Sequence, residues 1–251
     1  GRSRVSGVCR EKETGNHEMR MVIPQQRLYL GKGRAYREDR LPAVDFRQSA
    51  CYYEGRKRRV FAAHPAERKY AILLDFLEQE QISKELRDGI LEYRKTYPTP
   101  PELRSRVPRS RYHYYGKEVW EAAVAALLCG ENLLLAGSKA TGKNVLAENL
   151  AQVFARPSWD VSFHVNMDAA SLIGMDTFAN GQVTFRPGPV YLCARYGGFG
   201  ILDEINMAKN EALAVLHATL DFRRSIDVPG YDRLDVDPAA RFIGTMNYGY
   251  A

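Results

Sequence analysis

Cysteine is scarce in this chain of 251 residues, with only Cys9, Cys51, Cys129 and Cys193, far apart and with no Cys-x-x-Cys pair. A disulfide scaffold is thereby excluded, and free thiols of this kind suit a reducing, cytoplasmic setting. Long apolar runs are missing too: the richest stretch, Val119 to Ala136, is interrupted by Glu121, Glu131 and Asn132. No segment reaches the roughly 18 uninterrupted apolar residues of a membrane span, and no signal peptide is visible. Repeats and low-complexity tracts are also absent. Glycine is far below a collagen share, and 45% hydrophobic residues against 26% charged excludes a disordered chain.

Acidic residues are in deficit, but only locally. Lys and Arg number 36 against 30 Asp and Glu, a net charge of +6. Gly1 to Glu118 carries 26 basic and 16 acidic residues, a net of +10, whereas Val119 to Ala251 carries 10 and 14, a net of −4. The chain therefore reads as a basic front and a mildly acidic rear with unrelated tasks.

In the front, Gly1 to Glu18 is polar and aperiodic and reads as a loose lead-in. Two strand pairs are expected at Arg27–Leu30 with Arg34–Tyr36, and at Cys51–Tyr53 with Arg58–Phe61. Tyr70, Leu73, Leu74 and Leu77, then Leu86, Ile90, Tyr93 and Tyr97, repeat at helical spacing, which predicts two amphipathic helices between about Pro65 and Lys95. Four prolines and four arginines between Pro98 and Arg111 read as an extended linker, with a domain boundary near residue 110. Residues 1–110 are thus expected to form a basic mixed α+β accessory region. Ten of the 15 tyrosines lie in the basic front, and interleaved aromatic and basic residues of this type can bind nucleic acid. With no groove-reading helix in view, a solvated docking region is the preferred reading.

From residue 111 onward, helices alternate with short apolar strands, the pattern of a mostly parallel sheet wrapped by helices. Helices are expected at Lys117–Cys129, Lys143–Phe154, Val190–Tyr196 and Ala208–Phe222. Strands are expected at Asn132–Ala136, Val161–Val165, Phe199–Asp203 and Arg241–Met246.

Between the first strand and its helix stands Gly137-Ser138-Lys139-Ala140-Thr141-Gly142-Lys143-Asn144, the spacing and context of a P-loop. Its glycines let successive N–H groups converge on phosphate oxygens, the helix N-terminus adds positive potential, and Lys143 reaches the outer phosphates. A serine or threonine would ordinarily follow the lysine and hold Mg2+; here Asn144 offers a carbonyl oxygen from one bond further out. The strand Phe199-Gly200-Ile201-Leu202-Asp203 ends in the pair Asp203-Glu204, of which the first suits Mg2+ and the second a general base for an attacking water. A third strand delivers Asn247 to the same edge of the sheet, where it could share that water.

Taken with Phe185-Arg186-Pro187-Gly188-Pro189-Val190, Ile201 to Asn206 and Gly244-Thr245-Met246-Asn247, these motifs resemble an AAA+ ATPase module of the MoxR-type and dynein-related branch. The resemblance covers about residues 112–251 and implies a P-loop α/β fold that binds ATP and Mg2+. It implies nucleotide contacts from Gly137 through Asn144 to Val145, with Tyr115 and Gly116 lining the adenine side. It also implies metal held by Asn144 and Asp203, and catalysis by Lys143, Glu204 and Asn247. Family members form rings, commonly hexamers, that remodel protein clients, and they carry hairpins like those expected at Met175–Phe185 and Ser225–Asp237. Met207 stands where relatives often have arginine. Because the family's arginine finger, last core strand and lid would follow Asn247, the chain is expected to be a fragment that hydrolyses ATP poorly alone. GTP is a lesser alternative, as is a slow nucleotide switch whose basic front holds nucleic acid.

Overall fold

Side chains alternate across each strand, and this alternation divides the interior into two cores. In the computed structural model, which describes residues 19–22, 73–179 and 181–248, strand β6 (Phe199–Asp203) sends Phe199 and Ile201 into one core and Leu202 into the other. Strand β9 (Arg241–Asn247) divides Ile243 from Phe242 in the same way.

The sheet runs in the order β1, β2, β9, β6, β3. Strands β2 (Leu133–Gly137), β9, β6 and β3 (Ser158–Ser162) are mutually parallel, the α/β arrangement that the motifs imply. Strand β1 (Met19–Val22) pairs antiparallel with β2 at the edge and was not foreseen in the sequence. The expected strand pairs around residues 27–36 and 51–61 lie outside the described residues.

The first core packs beneath helices α1 (residues 73–79), α2 (Lys84–Thr96), α3 (Lys117–Leu128) and α4 (Lys143–Val153). A turn with Gln81 at φ +58 separates α1 from α2. Leu73, Phe76, Leu77, Ile90 and Tyr93 meet Trp120, Leu127, Leu150 and Phe154 in one continuous cluster. Each such fully buried side chain contributes about 1.5–3 kcal/mol. Glu85 in the first turn of α2 and Arg94 and Lys95 in the last turn complement its dipole.

Polar links tie α2 to the same body. Tyr93 donates its hydroxyl to the Ala239 carbonyl at 2.6 Å, and Arg94 donates Nε to the Val153 carbonyl at 2.7 Å. The proline-rich stretch is not an extended linker: Pro101–Arg106 forms a short 3-10 helix, Val107 is buried, and the Arg106 guanidinium sits 4.9 Å from the Trp159 ring centre. Buried Arg156 donates to the carbonyls of Tyr97, Tyr196 and Gly197 at 2.6–3.0 Å. Arg241 likewise donates to the carbonyls of Leu127, Pro238 and Ala240.

The second core lies under α5 (Ala169–Ile173), α6 (Pro189–Tyr196), α7 (Asn210–Ala214) and α8 (His217–Leu220). One helix was expected from Ala208 to Phe222; it breaks at residues 215–216, where Leu216 turns its side chain into this core. Strand β3 starts earlier than the expected Val161. Trp159, Val161 and Phe163 all enter the second core, with polar Asp160 and Ser162 between them in strand alternation. Two small hairpins complete the structure: β4 (Gly174–Ala179) with β5 (Gln182–Pro187), and β7 (Ser225–Ile226) with β8 (Leu234–Asp235).

Candidate functional site

Strand β2 ends at Gly137, and the chain then turns through Ser138–Gly142 into α4. Gly142, the residue before the helix, has φ +83, a left-handed conformation that costs glycine little. A side chain there would also meet the Tyr114 ring, because a Cβ would stand 3.2 Å from it. Lys143 is 6% exposed, and its ammonium donates to the carbonyls of Gly137 at 3.2 Å and Ser138 at 2.7 Å. The lysine is thus held at the mouth of its own loop. Burial pulls its pKa below the ordinary lysine range, and the nearby charges of Asp203 and Glu204 oppose that shift. Asn144 lies exposed on the first turn of α4, and Val145 packs half-buried against the first core.

Sheet register brings the acidic pair to this loop. Gly137 lies opposite Asn247 across β2 and β9, while Leu202 lies opposite Gly244 across β9 and β6. Asp203, at the end of β6, and Thr245, two residues before the end of β9, therefore stand side by side on the same face as Ile201 and Ile243, which is the face packed beneath α4. Asn247 donates its amide to Glu204 Oε1 at 3.0 Å. Thr245 donates its hydroxyl to Asp203 Oδ1 and accepts the Glu204 backbone N–H at 3.2 Å. Of the candidates, Lys143, Asp203, Glu204 and Asn247 converge at the C-terminal edge of the parallel strands, where ligands of α/β sheets bind.

Tyr115 and Gly116 stand immediately ahead of α3. The Tyr115 ring stands edge-on to Phe76 at 5.2 Å, and Gly116 heads α3 with its N–H on Glu80 Oε2 at 3.3 Å. Tyr114, one residue earlier, is the ring lying against Gly142. Burial raises its hydroxyl pKa to about 12. Asn149, fully buried on α4, fixes this segment by accepting the Tyr114 N–H at 2.9 Å and donating to the Tyr112 carbonyl at 3.0 Å. Sequence reasoning missed Tyr114, Asn149 and Thr245. Asn149 carries a visible signal, a polar residue inside the apolar stripe of Leu146, Leu150 and Val153. Thr245 shares a strand face with Asn247 two residues on.

A converging lysine and carboxylate pair can bind and polarise a phosphate ester and orient a water toward it. Asp203 supplies the hard oxygen that a divalent cation prefers, so the donor set fits Mg2+. Among the described residues no helix is long and apolar enough to cross a membrane.

Comparison with known proteins adds lineage to geometry. Residues 132–250 match the family described as AAA domain (dynein-related subfamily). The uncharacterized protein YojN of Bacillus subtilis (strain 168) is 36% identical over 157 residues, 61% of this chain and 51% of that protein. An uncharacterized Staphylococcus saprophyticus protein is 35% identical over 138 residues, covering 53% of this chain and 52% of its own length. One from Staphylococcus aureus (strain bovine RF122 / ET3-1) is 37% identical over 146 residues, 55% of this chain and 56% of its own. The chain thus spans about half the length of the curated relatives it matches.

Proposed function

Because residues 132–250 belong to the AAA domain family, in its dynein-related subfamily, we propose that the nucleotide bound by this module is ATP and that the chain hydrolyses it to drive work on a protein client. The observation that supports hydrolysis best is the Asn247 to Glu204 hydrogen bond at 3.0 Å, at the end of the strand next to the P-loop strand. In this reading Gly137 to Val145 cradle the phosphates with backbone N–H groups, and the Lys143 ammonium exchanges its loop carbonyls for phosphate oxygens. Glu204 accepts a proton from the attacking water, and Asn247 holds Glu204 in the orientation that receives it. Asn144 and Asp203 would hold Mg2+, which when bound neutralises phosphate charge.

Two further parts of the reading concern partners. AAA domains typically work as oligomers, and we read this chain as one subunit of a ring, of six copies by resemblance. The β4/β5 hairpin supports an exchange with a neighbour or a client: Phe178 and Val183, directly paired across its strands, are 76% and 63% exposed. Sedimentation with and without nucleotide reads this assembly, and a monomer under both conditions would remove the ring.

Glu204→Gln tests the hydrolytic core. It keeps shape and hydrogen bonding but cannot accept the proton. Turnover should fall by about 10²–10⁴-fold while binding of a fluorescent ATP analogue stays within threefold. Wild-type turnover by Glu204→Gln would remove Glu204 from the reaction.

A further inference from the structure

Glu204 occupies an uncommon backbone conformation. At φ 53 and ψ 44 it is left-handed without being glycine, a conformation that persists only where the surroundings enforce it. It heads the 3-10 helix Ile205–Met207, so its own N–H has no partner within that turn. The partner comes from the next strand: Thr245 Oγ1 accepts this N–H at 3.2 Å, and its hydroxyl donates a hydrogen bond to Asp203 Oδ1. Thr245 is 1% exposed, so water cannot replace either bond.

The contrast with Thr219 shows that burial alone does not create such a role. Thr219 is fully buried and its hydroxyl has no hydrogen-bond partner. The Thr245 hydroxyl instead serves the side chain of one acidic residue and the main chain of the next. Two residues further along the same strand face, Asn247 holds the Glu204 carboxylate. Strand β9 therefore grips the acidic pair at three points: the Asp203 carboxylate, the Glu204 main chain and the Glu204 carboxylate.

We propose that Thr245 is a positioning residue for hydrolysis, which fixes where the Asp203 and Glu204 carboxylates point without itself meeting the nucleotide. The proposal rests on the hydrolytic reading given above. Without the hydroxyl, the Glu204 turn loses the acceptor that pins its left-handed backbone, and Asp203 loses its only fixed donor from β9.

Thr245→Val keeps the shape and removes the hydroxyl. We expect kcat to fall by about tenfold to a hundredfold, the scale of a small misplacement of catalytic groups, with KM for ATP within threefold. The Mg2+ concentration for half-maximal turnover should rise at least threefold, and Thr245→Ser should restore both values. A merely structural threonine would lower the melting temperature and leave kcat and the Mg2+ requirement unchanged, and that result overturns the proposal. Glu204→Gln measured beside it keeps the two readings separate: if Glu204→Gln still turns over, the hydrolytic reading fails. If Glu204→Gln is inactive and Thr245→Val is fully active, only the role of Thr245 fails. Should Thr245→Val not fold, Thr245→Ser and Thr245→Cys decide, since they match in size and differ in hydrogen-bond strength. Equal kcat in that pair overturns the proposal, and at least a tenfold deficit for Cys supports it.

Discussion

Asn247 and Glu204 are joined at 3.0 Å across two neighbouring strands, the amide of one on the carboxylate of the other. This bond sets the direction of a carboxylate whose main chain already sits in a left-handed turn. Asn247→Ala should leave nucleotide affinity within threefold and reduce turnover by about 10²-fold, because Glu204 keeps its charge but loses its orientation. Single-turnover kinetics check this, and an unchanged rate would show that the amide is not needed.

Alkaline pH gives a second test, through Tyr93 and Tyr114. Burial raises the pKa of each hydroxyl to about 12, with the charges of Arg241 and Arg156 partly opposing the shift at Tyr93. The folded state therefore holds these two protons more tightly than the unfolded chain. Their contribution to stability is complete below about pH 10 and is lost as pH rises from 10 through 12, by up to about 1.4 kcal/mol per pH unit for each tyrosine. Tyr93→Phe should roughly halve the slope due to this pair, and cost about 1–2 kcal/mol at neutral pH because the Ala239 carbonyl loses its partner. Urea titrations between pH 8 and 12 measure both; a slope unaffected by Tyr93→Phe would mean that Tyr93 does not titrate there.

Arg156 offers a stability prediction independent of catalysis. Its guanidinium closes three carbonyls from two separate segments, Tyr97 on one side and Tyr196 with Gly197 on the other. Arg156→Met keeps most of the apolar stem and leaves those carbonyls without a donor. A loss of about 3 kcal/mol is expected. Chemical denaturation reads it directly, and a loss under 1 kcal/mol would show that water takes over the carbonyls.

Legibility in the sequence followed the locality of each signal. The loop from Gly137 to Asn144 was readable because close backbone approach to a phosphate leaves few residue choices, and Asp203-Glu204 because it ends a wholly apolar strand. Strand β3 was misplaced by three residues, since alternation marks a strand without marking its ends and only pairing with β6 fixes its start. The contact of Tyr114 with the loop was hidden as well. Neighbouring residues in an extended segment point opposite ways, and Asn149, 35 residues from Tyr114, decides which ring meets the loop. The proline and arginine content of residues 98–111 looked like a spacer, but Val107 is buried and Arg106 lies over the Trp159 ring, a residue of the second core. Thr245 escaped notice for the same reason. Its importance lies in what β6 presents to it.

The strand order itself has a consequence for how the chain becomes a protein. Strand β2 finds its parallel neighbour in β9, and the Asn132 side chain accepts the Phe242 N–H across a separation of 110 residues. Strand β6 leans on the same late neighbour. Until residues 241–247 leave the ribosome, the sheet exists as two separated pieces with unpaired flanks. High contact order of this kind slows folding and exposes strand edges while synthesis continues. Strand β9, made after the strands on both of its sides, is therefore the keystone of these five strands, and an error within it leaves both flanks unpaired.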